Sequence, residues 1–271
     1  YGIIGIELSR KSGCWVGIKC VHDNVSSGST VDLDENRVVL KDISNENYPS
    51  DGLNIRLKDT AQEKEYRLHH HKLKYVKEYC KLNNLNKLIF DSEKPRIGII
   101  STGKSYLDTK LGLEKIGVNK EVANQIGIKF LKIAMPWPLE DTVIEEFAEN
   151  LEKIIVVEEK RSIIETQVKE ILFNKNLKVK VIGKKDENSN DLFVSSGALD
   201  PVEIGLKVYE IIKYLKLPDD VNNFSKQLKS LTESTNSNIS LKRVPHFCSG
   251  CPHNTSTRIP EGSRAITGIS C

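Results

Sequence analysis

Cysteines near the end of the chain have the spacing of metal ligands. Cys248 and Cys251 form a C-x-x-C pair, and Cys271 follows after a 19-residue excursion. Three thiolates suit tetrahedral zinc or an iron–sulfur cluster. His253 or His246 would complete a zinc site of three cysteines and one histidine, whereas a cluster needs a fourth cysteine from elsewhere. Spacing alone favours neither metal, and unbound buried cysteines are a third interpretation.

The other cysteines show no comparable spacing. Cys14, Cys20 and Cys80 are scattered among apolar and helical stretches. Six cysteines in a chain of this size, three scattered and three clustered, indicate a protein of a reducing compartment with one metal or redox site. The run His69–His71 lies in a predicted helix over 60–82, where neighbouring residues point about 100° apart and cannot share one metal. We therefore predict a solvated face there.

Composition excludes several classes of protein. The 271 residues are 38% hydrophobic and 28% charged, which is typical of a core-forming chain and not of a disordered one. The 40 Lys and Arg against 37 Asp and Glu leave a net charge of only +3, so we expect no nucleic-acid partner. No apolar run reaches the roughly 20 residues that span a bilayer, so we expect no membrane insertion.

Both ends of the chain indicate an internal piece of a longer polypeptide. The first residue, Tyr1, lies inside an apolar periodic stretch, the only methionine is Met135, and the last residue is a motif cysteine.

The elements that must position any site are clearest over residues 95–185. The stretches "RIGIIST", "IKFLKIA", "KIIVVEE" and "KVKVIGK" read as strands, with a helical pattern after each of the first three. Strands alternating with helices predict a parallel sheet in a three-layer α/β/α domain. The strands are apolar throughout, which suits burial on both faces.

In such sheets, function collects in the loops beyond the carboxyl ends of the strands. Those loops are 101–108, 135–140 and 158–162. The run Ser101 to Lys104 could meet an anion through a helix N-terminus and an ammonium, although the Walker A spacing is absent. Trp137, between two prolines, suits domain docking.

The flanking segments are predicted from weaker patterns. Residues 1–30 indicate a core helix, "RVVLKDI" a short strand, 44–60 a connector and 217–240 a polar linker. A helix opens at Asp200 with Pro201 and Glu203 in its first turn. Its predicted apolar stripe is Ile204, Val208, Ile211, Ile212 and Leu215, and that of residues 1–30 is Ile4, Leu8, Trp15, Ile18, Val21 and Val25.

The final stretch, "FCSGCPHNTSTRIPEGSRAITGISC", resembles the opening of the thiamine-diphosphate-binding domain of the fused indolepyruvate ferredoxin oxidoreductases, within the 2-oxoacid:ferredoxin oxidoreductase family. "LSRKSGCWVGIKCV" is similar to the end of their pyrimidine-binding domain. "DGLNIR", "TGKSYLD", "WPLE" and "VVEEKR" are similar to their transketolase C-terminal-like domain. The resemblance implies this division of the chain: 1–45, end of the pyrimidine-binding domain; 46–94, connector with a helix; 95–185, transketolase C-terminal-like α/β domain; 186–243, helix and polar linker; 244–271, start of the thiamine-diphosphate-binding domain.

The resemblance also implies an activity. Enzymes of this family oxidatively decarboxylate a 2-oxoacid with thiamine diphosphate and Mg²⁺, here an aryl acid of the indolepyruvate type. Coenzyme A accepts the acyl group, and electrons pass through a 4Fe–4S cluster to ferredoxin. The cofactors carry the difficult chemistry, and the protein positions them. The implied setting is cytoplasmic, with a homo-oligomeric full-length protein.

Site residues follow from the same resemblance. Cys248, Cys251 and Cys271 match three ligands of the cluster nearest the thiamine, and His253 and Cys271 match positions beside thiamine diphosphate. Lys104 and Arg161 are assigned to the coenzyme A or substrate region. The family's activating glutamate, its diphosphate motif and a fourth cluster cysteine have no match, so this piece alone is expected to be inactive. The competing hypothesis is a non-catalytic zinc-binding interaction module on an α/β domain. Neither hypothesis ranks the possible 2-oxoacids.

Overall fold

The computed structural model describes residues 1–44, 48–175, 177–236 and 246–264. Two compact units divide the chain, Tyr1–Lys229 and Ser230–Cys271. The helices are α1 (Gly2–Ser12), α2 (His22–Val25), α3 (Ala61–Arg67), α4 (Leu73–Leu82), α5 (Gly103–Lys115), α6 (Lys120–Ile126), α7 (Asp141–Ala148), α8 (Ile164–Phe173), α9 (Pro201–Ile212), α10 (Asp219–Asn236) and α11 (His253–Ser256), with a 3₁₀ turn at Glu35–Arg37 and a π-helical turn at Leu68–Lys72.

The first unit is built on a five-stranded sheet. Its strands are β1 (Lys87–Phe90), β2 (Ile97–Thr102), β3 (Ile128–Ile133), β4 (Lys153–Val157) and β5 (Lys180–Ile182), in the order β1-β3-β2-β4-β5. The four strands β2 to β5 are parallel, as predicted, whereas β1 pairs antiparallel to β3 at one edge. The sequence did not indicate β1, because four residues with little periodicity become a strand only beside a partner.

Alternation along each strand sends side chains into two separate cores. In β2, Ile99 packs with one face's helices, α5, α6 and α9, while Ile100 packs with α7 and α8 on the other. Both isoleucines are fully buried. Burial on both faces explains why the strand reads as a continuous apolar run. The three-layer α/β/α architecture is therefore confirmed.

The first 44 residues differ from the predicted core helix and strand. The helix α1 ends at Ser12, because Gly13 takes a left-handed conformation (φ 65°) and donates its N–H to the Ser9 carbonyl. Beyond it, Trp15 is 96% exposed, and Ile18 and Val25 are also exposed. The strand predicted over 37–43 is wrong, since Arg37 ends the 3₁₀ turn and residues 38–43 have no regular structure.

The predicted start of the helix at Asp200 is confirmed. The Asp200 carboxylate accepts hydrogen bonds from the Val202 and Glu203 N–H groups at the start of α9. The predicted linker over 217–240 is wrong for its first part, since α10 is helical there and Val221 is buried in the core. In the described ranges, no helix is both long and apolar enough to cross a membrane.

Candidate functional site

The carboxyl ends of the parallel strands meet at one edge of the sheet. Ser101 is in register with Val157, and Thr102 with Ile133. The three loops that the sequence singled out therefore begin beside one another, as the parallel topology requires.

Lys104 lies at this edge in the first turn of α5. Its Nζ is 2.6 Å from Asp108 Oδ2 and 3.6 Å from Glu159 Oε1. The hydrogen bond to Asp108 raises the pKa of Lys104, so the ammonium stays charged. An anion at this edge would have to share the ammonium with two carboxylates. Asp108 was missed by the sequence analysis, although its i,i+4 spacing from Lys104 would have indicated it.

Hydrogen bonds made by three successive residues, Glu158 to Lys160, hold the loop after β4 in place. The buried Glu158 carboxylate accepts backbone hydrogen bonds at the start of α8. Glu159 Oε1 accepts from the Leu199 N–H at 3.1 Å, and Lys160 donates to a loop carbonyl at residue 197. Arg161 is exposed and has no hydrogen bond or ion pair within the described residues. The loop therefore presents the Arg161 guanidinium to solvent.

Lys184, which the sequence analysis missed, contacts both Glu158 and Glu165. Lys184 follows β5, and its Nζ donates to the Glu158 carbonyl at 2.5 Å, while its backbone N–H donates to Glu165 Oε2 at 2.8 Å. Burial lowers the pKa of Lys184. No sequence pattern could have indicated it, because its partners come from other elements.

The loop "MPWPLE" is held by two side-chain amides. Asn86 Oδ1 accepts from the Ala134 N–H at 2.9 Å. Gln167 Nε2 donates to the Pro136 carbonyl at 2.8 Å, and its Oε1 accepts from the Leu139 N–H at 2.9 Å. Between these anchors Trp137 is 65% exposed. Its docking role stays a prediction.

In the second unit, the C-x-x-C pair forms one tight turn. The Cys251 N–H donates to the Cys248 carbonyl at 3.0 Å, and Asn254 Nδ2 donates to the same oxygen at 3.0 Å. Gly250 between them has φ 79°, a conformation that favours glycine. Cys251 Sγ is 3.3 Å from His253 Nδ1.

The donor chemistry of this turn fits a thiophilic metal. Cys248 and Cys251 are free thiols, and Cys248 is exposed. Cys271, the third proposed ligand, lies outside the described residues, among which no group of three metal-binding side chains occurs. Two thiols in one turn suit two ligands of an iron–sulfur cluster or of zinc. By contrast, burial raises the pKa of the Cys80 thiol to about 12.

Comparison with known proteins gives the family. The sequence model of the indolepyruvate oxidoreductase domain matches residues 87–238. Indolepyruvate oxidoreductase subunit IorA of Pyrococcus abyssi is 28% identical over 172 residues, which are 59% of this chain and 22% of the relative. The IorA subunit of Thermococcus kodakarensis is 29% identical over 193 residues, 66% of this chain and 26% of the relative. The chain thus spans about a quarter of the length of these relatives.

Two solved structures are similar to part of the chain. A 2-oxoglutarate:ferredoxin oxidoreductase from Magnetococcus marinus has a TM-score of 0.40 and 14% identity, over 57% of this chain and 24% of that one. A split-gene transketolase, an inactive tetramer, has a TM-score of 0.33 and 16% identity, over 47% of this chain and 41% of that one.

The sheet and the cysteine turn define an α/β protein with a thiol-rich second unit. More than half of the chain matches one family model, and the chain belongs to the indolepyruvate oxidoreductase domain family. The resemblance noted in the sequence is confirmed at the level of the family.

Proposed function

We propose that this chain belongs to a thiamine-diphosphate- and iron–sulfur-dependent oxidoreductase that converts an aryl 2-oxoacid of the indolepyruvate type to its acyl-CoA. Carbon dioxide leaves, coenzyme A takes the acyl group, and ferredoxin takes the electrons one at a time. Family membership supports the reaction class, since the IorA subunits are named as indolepyruvate oxidoreductases. The observation that carries the proposal is the Cys248–Cys251 turn.

In this proposal, Cys248, Cys251 and Cys271 hold three irons of a 4Fe–4S cluster. The turn brings two thiols together without a disulfide, and the backbone bond between Cys251 and Cys248 fixes its shape. The cluster supplies one-electron transfer. Asn254 donates to the Cys248 carbonyl and so restrains the backbone of the turn that carries both thiols.

His253 is assigned to the neighbourhood of thiamine diphosphate and its Mg²⁺, together with Cys271. The imidazole stacks on Phe247 with ring centroids 5.2 Å apart, and its Nδ1 faces Cys251 Sγ. These contacts fix the ring orientation. When bound, thiamine diphosphate supplies the electron sink for decarboxylation.

Lys104 and Arg161 are assigned to the coenzyme A or substrate region. Both lie at the carboxyl edge of the sheet, Lys104 in the first turn of α5 and Arg161 in the loop after β4, and coenzyme A and 2-oxoacids are anions. Arg161 is the stronger of the two, because its guanidinium has no partner within the described residues, whereas Lys104 already pairs with Asp108. The five sequence-derived domains, a cytoplasmic location and a homo-oligomeric full-length protein belong to the same proposal.

The identity of the bound metal tests the proposal. We expect the full-length protein, purified without oxygen, to contain iron and sulfide and to reduce a viologen only with both 2-oxoacid and coenzyme A. Cys248→Ser and Cys251→Ser should each lower the iron content by more than half, since each removes a thiolate ligand. Cys20→Ser, which removes an exposed thiol elsewhere, should leave the iron unchanged. Stoichiometric zinc without iron would refute the cluster.

A second candidate function is a non-catalytic zinc-binding interaction module. The 3.3 Å approach of His253 Nδ1 to Cys251 Sγ favours it, because cysteine and histidine together are zinc ligands. It predicts that the 271-residue chain holds one equivalent of zinc and that His253→Ala or His246→Ala releases the metal. Unchanged metal content in both variants would exclude this function.

A further inference from the structure

Lys184, which follows β5, contacts both ends of the loop that carries Arg161. Its Nζ donates to the Glu158 carbonyl oxygen, where the loop begins, at 2.5 Å. Its backbone N–H donates at 2.8 Å to Oε2 of Glu165, which lies in the first turn of α8 where the loop ends. Arg161 stands between these two contacts in the chain. One residue outside the loop therefore joins the two sides of its base.

The second of these contacts depends on the glycine that precedes Lys184. A Cβ on Gly183 would lie 2.5 Å from Glu165 Oε2, which is closer than unbonded carbon and oxygen atoms approach. The Glu165 carboxylate has little room to yield, because Glu165 is only 4% exposed and its other oxygen accepts from Lys169 Nζ at 2.6 Å. A side chain at position 183 would therefore separate Glu165 from the Lys184 N–H.

The surroundings of the Lys184 ammonium suit a role in holding the loop and not in binding an anion. Three carboxylates interact with the ammonium, those of Glu158, Glu159 and Glu165. The Val194 carbonyl oxygen lies 3.5 Å from Nζ. An anion that approached this ammonium would be repelled by the same carboxylates. The single positive charge therefore serves to keep acceptors from different segments together.

The two residues before Arg161 are held from the other side of the loop. Glu159 Oε1 accepts from the Leu199 N–H at 3.1 Å, and Lys160 donates to the Gly197 carbonyl. Leu199 is only 2% exposed, so it anchors this segment in the core. Arg161 itself is exposed and makes no hydrogen bond or ion pair within the described residues. The loop thus restrains the backbone at Arg161 and leaves the guanidinium open to a ligand.

We propose that Lys184 is a positioning residue for the anion that Arg161 binds, acting through the backbone of residues 158–165. The inference rests on the proposed function, in which Arg161 contacts coenzyme A or the 2-oxoacid. Without the ammonium, the Glu158 carbonyl loses its donor and the surrounding carboxylates lose a cation, so the base of the loop opens. The guanidinium then leaves its position, and a charge-assisted hydrogen bond weakens steeply when its distance or angle changes.

Kinetics of the full-length enzyme test this role. Arg161→Met identifies the anion, because it should raise the KM of either coenzyme A or the 2-oxoacid. Lys184→Met removes the ammonium and keeps an apolar stem, so it should raise the same KM at least about tenfold with kcat within about twofold of the native value. Lys184→Arg keeps the charge and should restore that KM to within about threefold. An unchanged KM in Lys184→Met would overturn the proposal.

The double variant separates positioning from a general loss of structure. If Lys184 acts through Arg161, Lys184→Met should not raise the KM any further in the Arg161→Met background. Independent, additive effects of the two substitutions would overturn the proposal. Lys185→Met is the matched control, since the next lysine is exposed, pairs with Asp191 and does not contact the loop. It should leave both KM values unchanged.

Hydrogen exchange in the 271-residue chain gives a measurement that needs no activity. Lys184→Met should speed exchange at the Ile163 to Glu165 N–H groups at least about tenfold and leave α7 unchanged. Lys184→Gln replaces it in both measurements if the methionine variant does not fold. Unchanged exchange at these groups would overturn the proposal. A native full-length protein without activity would instead refute the proposed function, and exchange alone would then decide whether Lys184 holds the loop.

Discussion

At the scale of single residues, side chains at the carboxyl edge of the sheet accept hydrogen bonds from backbone N–H groups several residues further along the chain. Glu158 Oε2 accepts from the Ile163 and Ile164 N–H groups, and its Oε1 from the Glu165 N–H, each at 3.0 Å. A glutamate at the end of β4 therefore caps α8, which has no side-chain cap from its own flanking residue. The carboxylate also fixes the loop that presents Arg161.

Glu158→Ala should lower the free energy of unfolding by about 2 kcal/mol, because three N–H groups at the start of α8 lose their acceptor. Urea denaturation of the native and variant chains measures this difference. Glu149→Ala is the matched control, since Glu149 is exposed and makes no side-chain hydrogen bond in the described part of the chain. A loss under about 0.5 kcal/mol for Glu158→Ala would show that water replaces the cap.

An ion pair at the amino ends of the parallel strands makes the stability of the fold depend on pH. Arg96 Nη2 is 3.0 Å from Glu152 Oε2, and the Tyr214 hydroxyl donates to the same oxygen at 3.0 Å. The hydrogen bond from Arg96 lowers the pKa of Glu152 below its ordinary 4.5. A lowered carboxyl pKa stabilises the fold above the unfolded pKa, and this stabilisation is lost as pH falls through the folded pKa.

Glu152→Gln should therefore cost about 0.5–1 kcal/mol at pH 7, the range for a well-oriented surface pair. The difference from the native chain should shrink as pH falls below 4.5. Urea unfolding across this pH range measures it. Glu93→Gln, at an exposed glutamate, should show no such dependence. A difference that stays constant down to about pH 2 would contradict the assignment.

At the scale of elements, two glycines let α5 and α9 approach on one face of the sheet. A Cβ on Gly112 would lie 2.5 Å from the Pro201 carbonyl oxygen, and one on Gly205 would lie 2.5 Å from the Gly112 carbonyl oxygen. The clashing atoms are backbone, so neither helix can yield by a side-chain rotation. The close contact buries Ile204 and Val208 of α9 in the core of that face.

Gly112→Ala should destabilise the chain by about 2–3 kcal/mol, although alanine favours helices, because α5 and α9 must separate. Thermal unfolding with a fit of the free energy measures the loss. Gly2→Ala, at a helical glycine with open space around it, is the matched control and should be neutral or stabilising. An equal effect of the two substitutions would show that backbone entropy dominates.

At the scale of the whole molecule, the first unit contains the sheet and both of its apolar cores. The boundary between the units at Lys229 and Ser230 falls inside α10, whose Val221 is fully buried in the first unit's core. The first unit therefore includes the start of α10 and does not end with α9.

A chain truncated after Asn236 should fold, with a single cooperative thermal transition within about 3 °C of the parent chain. A chain truncated after Leu215 should melt more than about 5 °C lower, because it loses Val221 and the rest of α10. Differential scanning calorimetry distinguishes the two. Equal transition temperatures would mean that α10 contributes no stability to the first unit.

Much of the candidate site could be predicted from sequence, but only as separate pieces. Lys104 and the C-x-x-C turn were indicated by local patterns, namely a strand followed by a polar loop and two thiols with one glycine between them, whereas Arg161 was assigned only through the resemblance to the family. Glu159 as a partner of Lys104, and Lys184 beside Glu158, could not be predicted, because residues from different crossovers meet there.

The sequence by itself determined the parallel strands, the helices between them and the spacing of the cysteines. Strand and helix periods are local properties, and a buried parallel strand must be apolar throughout. Only the tertiary structure decided that β1 joins the sheet, that α10 is helical and that Trp15 is exposed. Each depends on contacts between residues far apart in the chain, and those contacts leave no period in the sequence.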